Sequence, residues 1–490
     1  MGYIRGVARE QQVLFPVSLD EYISEDNPVR AVAAFVEHLR MEELGFERTE
    51  AGTGRPGYDP RTLLAVFVWG HMNRVMSSRR LERECGRNVE LMWLSGMLKP
   101  DFKTLCRFRQ TDGEAIRKVL TSFRLWCEAA GLIGKEVVAI DGSKFKAVNS
   151  LQRNVTQKKL AKLIAREKAN AEQYLKELAE ADERDDEGTA KLTAEELKVK
   201  IATIEEFIAG QESRLERMQR EGVTQESETD PDARLMKGPK GTSVAYNVQA
   251  VVDAKHKLIV GMEVTNEVSD RTLLTAMARK AKEELGVDGL TVLADGGYYT
   301  SEAIRTCEEE NITTYVPVVG REKEEDEESG RFSRSRFRYD AERDVYVCPQ
   351  GEELGRIGTT AEKVAEGRKT YFVYGGADCA DCPLRNNCTK SAKGRRIKRW
   401  EHEDVTQRLR GRLESDPAMM RRRKSLVEHP FGTIKVSMGH ERLLMKGTRN
   451  VRTEMSLTVL GYNLKRVLSI LGVETLVAML KSGQTTPEYA

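Results

Sequence analysis

No uninterrupted apolar run approaches the roughly 18 residues that a membrane-spanning helix needs. The N-terminus has no short apolar stretch of the secretory kind either. An excess of one charge is also lacking. The 79 Lys and Arg face 77 Asp and Glu, a formal net charge of +2, so an anionic partner must be met by local patches. There is no P-loop, which removes the simplest form of nucleotide-driven chemistry. Eight cysteines in 490 residues without a signal peptide suggest a reducing compartment, so a cytoplasmic protein is expected. The length is too great for one ordinary core and predicts two to four domains or large insertions.

What is present begins with helices. Asn27-Pro28 and Asp59-Pro60 each place a capping residue before a proline at the first helical position, opening apolar-periodic segments. Shorter helices follow near 81–94 and from Asp101 through Trp126. Arg79, Arg80, Arg83, Arg107 and Arg109 lie between their apolar positions. Residues 1–130 therefore read as an all-α domain, either DNA-binding or an ordinary helical cap.

The pattern changes at EVVAIDGSKF, 136–145. Val137 to Ile140 form a short apolar run, which reads as a strand buried on both faces and ending at Asp141. A carboxylate there costs several kcal/mol if buried without a partner. Residues 151–229 then carry apolar positions at helical spacing around a polar break, Asp182–Gly188, predicting an antiparallel coiled-coil hairpin. Strands over 243–252 and 257–264 should form a hairpin. A helix follows, then a strand, 290–294, ending in Asp295-Gly296-Gly297, which repeats the Asp141 arrangement. Another helix and the strand 313–318 complete a ribonuclease-H-like order, in which neighbouring parallel strands bring their terminal carboxylates together. Asp-Gly after a strand is also a common turn; the repetition on two strands favours function.

Beyond 320 an acidic run, 321–330, reads as a solvated loop. The region 321–405 should be a second insertion of short strands with Cys348, Cys379, Cys382 and Cys388, a set able to hold a structural Zn²⁺ or to remain reduced thiols. The other cysteines fall on apolar patterns and read as core. Between Lys390 and Lys424, thirteen Lys/Arg stand against five Asp/Glu, the most basic stretch of the chain. Trp400 within it could stack on a base, with core packing favoured. In RRRKSLVEHPFGTIK, 421–435, Glu428 lies between apolar neighbours. On a continuous helix Arg421 and Lys435 would share its face, although Pro430 introduces a kink. Of six histidines only His429 and His440 neighbour this segment. Residues 406–475 return to the core as helices, and 476–490 are expected to be a flexible tail.

IDGSKF around Asp141, LADGGYYT around Asp295, EHPFGTIK around Glu428 and RPGYDPRTLL at 55–64 together resemble the DDE transposases of bacterial insertion sequences. The resemblance is to the branch whose third-carboxylate helix carries Y-x2-R-x3-E-x6-K. Glu428 and Lys435 fit its second half; Arg421 and Lys424 stand where the pattern has Tyr and Arg. The resemblance implies an α/β ribonuclease-H-like core over 131–150, 230–320 and 406–475. It further implies catalytic, metal-binding Asp141, Asp295 and Glu428 with two Mg²⁺ or Mn²⁺ ions, cleavage at terminal inverted repeats, and 3′-OH strand transfer into target DNA. Two hard cations suit carboxylate oxygens and stabilise both entering and leaving oxygens. Lys144, Lys146, Lys237, Arg107, Arg109, Arg421, Arg422, Arg423, Lys424 and Lys435 are the expected DNA contacts, with Lys240 near them. A homodimer on double-stranded DNA, associated with the nucleoid, is implied. The competing readings are a nuclease without strand transfer and a non-catalytic DNA-binding derivative.

Overall fold

The computed structural model describes residues 18–46, 57–149, 153–183, 194–238, 241–318, 332–364, 367–376, 379 and 381–482. Both proline-led helices form: α1, Pro28–His38, with Asn27 accepting from Val29 N, and α2, Pro60–Met72, with Asp59 accepting from Arg61 N. The short helices α3 (Ser78–Glu84), α4 (Val89–Leu94), α5 (Phe102–Thr111) and α6 (Gly113–Ala129) complete the N-terminal layer. Arg55 and Pro56 of the RPGYDPRTLL motif lie outside the described residues.

The central sheet begins with β1, Val137–Lys146. It gains β4 (Arg234–Gly238), β5 (Gly241–Asp253) and β6 (Ile259–Thr265) on one side, once the short strands β2 (Asn154–Thr156) and β3 (Gln225–Ser227) have paired with each other. Helix α9 (Leu274–Leu285), β7 (Leu290–Leu293), α10 (Ser301–Glu309) and β8 (Ile312–Tyr315) follow. The strand order is β4-β5-β1-β7-β8, with β6 also on β5. β1, β7 and β8 run parallel, while β4, β5 and β6 pair antiparallel. This is a mixed α/β fold.

One expectation needs correction here. β1 does not end at Asp141, because the long β5 pairs with it from Val138 through Lys146 and carries it five residues further.

Between β2 and β3 stand α7 (Gln157–Glu183) and α8 (Ala194–Arg220), packed as the hairpin that the sequence predicted. They bury Leu160, Ile164, Ile208 and Met218 in a core of their own. The polar break beyond Glu183 and the acidic run 321–330 lie outside the described residues.

The cysteine-bearing region is a five-stranded antiparallel sheet: β9 (Arg338–Asp340), β10 (Val345–Val347), β11 (Glu353–Val364), β12 (Gly367–Gly375) and β13 (Ile397–Trp400), with the single turn α11 (Arg385–Cys388). Helices α12 (Glu403–Ser415), α13 (Ala418–Gly432), α14 (Thr448–Leu471) and α15 (Val473–Lys481) end the chain.

The two faces of the central sheet are both covered. Val138, Ile140 and Val251 join the N-terminal helices in one core, whereas Phe145, Tyr246, Val248 and Ala250 meet Phe431, Ile434 and Met455 in another. α14 is buried nearly all round, as a helix wedged between layers must be, and packs on α2, α6 and β6. α15 packs on α1 with Leu476 and Leu480 buried. Two expectations are thereby corrected. Residues 476–481 are not a flexible tail, because their apolar side chains complete the first helix's core. The N-terminal helices are likewise not a separate unit, since α14 and α15 share that core.

Candidate active site

The parallel ladder of β1 with β7 pairs Val137 with Thr291, Val138 with Val292 and Ala139 with Leu293. Two residues further, the chains reach Asp141 and Asp295. Asp295 accepts from Gly297 N at 2.9 Å and so caps the turn that carries the chain off the sheet. Arg423 of α13 lies over both carboxylates, its Nη2 3.1 Å from Asp141 Oδ1 and 3.5 Å from Asp295 Oδ2. The Asp141 carboxyl is pushed up to about 6. Burial is the main cause and Arg423 opposes it; Asp295 and Asp270 push it further up, and the Gly142 backbone hydrogen bond pulls it down. One guanidinium does not offset the burial of this carboxyl.

A polar cluster backs the pair. Asp270 Oδ1 accepts from Asn247 Nδ2 at 2.7 Å and Gln249 Nε2 at 2.8 Å, with Lys144 Nζ at 3.3 Å. Tyr298, three residues after Asp295, is fully buried and donates its hydroxyl to Gln249 Oε1. The β1 backbone beside Asp141 and the turn after Asp295 are therefore tied through one network. Gly142 is required where it passes under that network: a Cβ would fall on Gln249 Nε2 and 2.7 Å from Asp270 Oδ1. Sequence reasoning missed Asp270, Asn247 and Gln249. The available signal was two amides at alternate positions of the otherwise apolar strand SVAYNVQAVV.

Glu428 is not joined to the aspartates. It is exposed on α13, 3.9 Å from Lys424. Five residues past Arg423 places it about 140° around the helix from that residue. Leu426 and Val427 bury against Ala139 and Leu293. After Pro430 the helix widens into a π turn over Thr433–Ser437. The widened turn breaks the register that would have kept Lys435 on the face of Glu428. Lys435 Nζ instead reaches Ser143 Oγ at 2.7 Å and the Lys144 carbonyl at 2.8 Å. His429 faces Tyr462, with Nδ1 3.1 Å from its hydroxyl. His440 is buried against Glu454 and Thr458.

The expected basic surface divides. Arg107, Lys146, Lys237, Arg421, Arg422 and Lys424 are exposed, and Lys240 lies outside the described residues. Arg109 is 6% exposed, over the Phe67 ring and bonded to Ser78, and from there it does not reach a phosphate. Lys144 and Arg423 are turned to carboxylates. Within the basic stretch, Arg408 and Arg412 pair with Glu308, Lys398 pairs with Glu362, and Arg399 is buried against Tyr339. Much of that positive charge is thus consumed internally. Trp400 is core, with Lys369 over its ring.

All eight cysteines are free; Cys85, Cys127 and Cys307 are buried. Cys348, Cys379, Cys382 and Cys388 line one small pocket with Phe337 and Leu354. Among the described residues no three His, Cys, Asp or Glu stand close enough together to hold a metal ion.

Residues 17–111 match the family described as Transposase domain (DUF772), and residues 347–468, which include Glu428, match the family described as Transposase DDE domain. No curated protein matches the chain. Among solved structures, a piggyBac transposase synaptic complex with hairpin DNA aligns over 94% of this chain and 80% of its own. The identity is 10% and the TM-score 0.34, a likeness too slight to carry fold or function.

Proposed function

We propose that this chain, which matches two transposase domains, is a DDE transposase of the insertion-sequence type, and that Asp141, Asp295 and Glu428 are its catalytic carboxylates. DDE transposases cleave DNA and transfer strands, and their domains work with divalent metal ions. The observation that carries the assignment is that Asp141 on β1 and Asp295, two residues past the end of β7, both turn toward the Arg423 guanidinium. The sheet order, antiparallel on one side of β1 and parallel on the other, supports a ribonuclease-H-like core into which the helical hairpin and the cysteine-bearing sheet are inserted.

The two aspartates fit a hard cation: both are oxygen donors, both already turn to a cation, and burial leaves Asp141 short of compensation. Glu428 is the third ligand by its motif and its helix. Two Mg²⁺ or Mn²⁺ ions, when bound, would stabilise entering and leaving oxygens of the phosphodiester. The chain's own residues hold the frame. The Asp270 network ties β1 to the turn after Asp295, Arg423 balances charge, and Lys435, in the π turn that follows α13, bonds to β1. In the cysteine pocket, four free thiols around one space support a structural Zn²⁺, although the sulfurs are not gathered to bonding distance. The DNA partners are the element's inverted repeats and the target duplex. Two ends must be cut together, hence a homodimer. Among the described residues no helix is long and apolar enough to cross a membrane, and action at the nucleoid is part of the same reading.

The test is purified protein with Mg²⁺ and linear DNA carrying the element's ends. Wild type should nick and join, and Asp141→Ala, Asp295→Ala and Glu428→Ala should each abolish both. Activity that survives Glu428→Ala removes that residue, and cutting without joining favours the nuclease reading. Equal zinc content in wild type and Cys382→Ser removes the zinc site.

A further inference from the structure

Beyond Asp141, β1 has a continuous neighbour on one side only. β5 accompanies it to Lys146, but β7 leaves after Ala139 and Leu293. Among the described residues, the next pairing on the β7 side is a single parallel bridge between Lys146 and Arg442. It is made by Lys146 N to the Glu441 carbonyl, 3.3 Å, and Leu443 N to the Lys146 carbonyl, 2.8 Å. Within the gap the strand's edge is covered by Lys435, whose Nζ lies 2.7 Å from the Ser143 hydroxyl and 2.8 Å from the Lys144 carbonyl. One end holds Asp141 and Asp295; the other holds Lys146 and Arg442. Five strand residues separate the ends, about 17 Å at roughly 3.4 Å per residue.

Bridge partners project side by side, about 4.8 Å apart, and both of these side chains are exposed. The segment that presents Arg442 is held firmly. Met438, His440 and Leu443 are buried, His440 Nε2 lies 2.9 Å from Glu454 Oε1, and Arg74 donates to the carbonyls of Val436 and Ser437. The backbone that carries the two cations is thus set before binding, and only their side chains are ordered on meeting a phosphate.

We propose that one strand of duplex DNA runs over this gap, with Lys146 and Arg442 clamping its backbone about 17 Å from the phosphate at Asp141 and Asp295. The proposal rests on the aspartate pair being the cleavage site. Arg442 lies outside the expected DNA contacts and enters only through the bridge. The distribution of charge suits this placement, since the acidic end repels the backbone unless cations screen it, while the basic end attracts it.

The experiment measures binding of a duplex carrying the element's end, as log K against log salt, for wild type, Lys146→Gln, Arg442→Gln and the double variant. Each substitution should reduce the slope by about 0.9 and the pair by about 1.8, with Arg442→Lys restoring it. A neutral methylphosphonate at the backbone position about 17 Å from the cut should reproduce the loss in wild type and add nothing in the double variant. Unchanged slopes in variants that still cut DNA overturn the clamp and leave the cleavage site standing. A wild-type protein that binds but does not cut overturns the cleavage assignment and the clamp's register with it. Thermal unfolding of the variants, expected to match wild type because both side chains are exposed, separates lost contacts from lost fold.

Discussion

At the residue scale, Asp141 and Asp295 were legible because each follows an apolar run and precedes glycine, a pattern that appears twice. Their partners were not legible. Arg423 read as a DNA contact because a charge within RRRK carries no sign of what it faces, and Asp270 sits in a polar stretch that reads as any loop. Burial and charge at Asp141 make a prediction about pH. Its folded value, about 6, exceeds the ordinary 3.8, so the folded state binds the proton more tightly than the unfolded one. The contribution of Asp141 to stability is then greatest below about pH 4 and falls as pH rises to about 6, by up to about 3 kcal/mol at 1.36 kcal/mol per unit. With chelator present, the difference in urea-unfolding stability between wild type and Asp141→Asn should shift against wild type over that window; parallel pH profiles would refute it. Gly142→Ala tests the crowding beneath the Asp270 network. It should cost about 1–3 kcal/mol, read as a lower melting temperature with the α/β signature retained.

At the scale of elements, capping and period succeeded where the physics is local. Asn27-Pro28, Asp59-Pro60 and the apolar spacing of 157–220 each produced the helix they predicted. Two errors had non-local causes. β1 runs past Asp141 because β5 is long enough to hold it, and Lys435 leaves the register of Glu428 because the backbone widens after Pro430. The hairpin's separate core predicts that it can be removed. Joining Thr156 directly to Gln225 through Asn-Gly, a two-residue turn suited to the paired strands β2 and β3, should leave the melting temperature of the remainder unchanged by circular dichroism. A collapse of that transition would mean that the hairpin supports the main core.

At the scale of the whole molecule, helices far apart in the sequence meet: α15 closes the core begun by α1. Leu476→Ala, at a fully buried position, should cost about 2–5 kcal/mol, and the loss should be seen in the N-terminal helices by hydrogen exchange around Val32 and Phe35. Exchange that stays as slow as in wild type would show that α15 is dispensable. The sequence alone determined the capped helices, the order of the main strands and a resemblance that the matched transposase domains bear out, because capping, periodicity and short motifs act between near neighbours. Only the tertiary structure decided which charges are already spent on one another, where β1 stops having a neighbour, and that Arg442 stands beside Lys146. Those outcomes depend on contacts between residues hundreds of positions apart, and no local pattern records them.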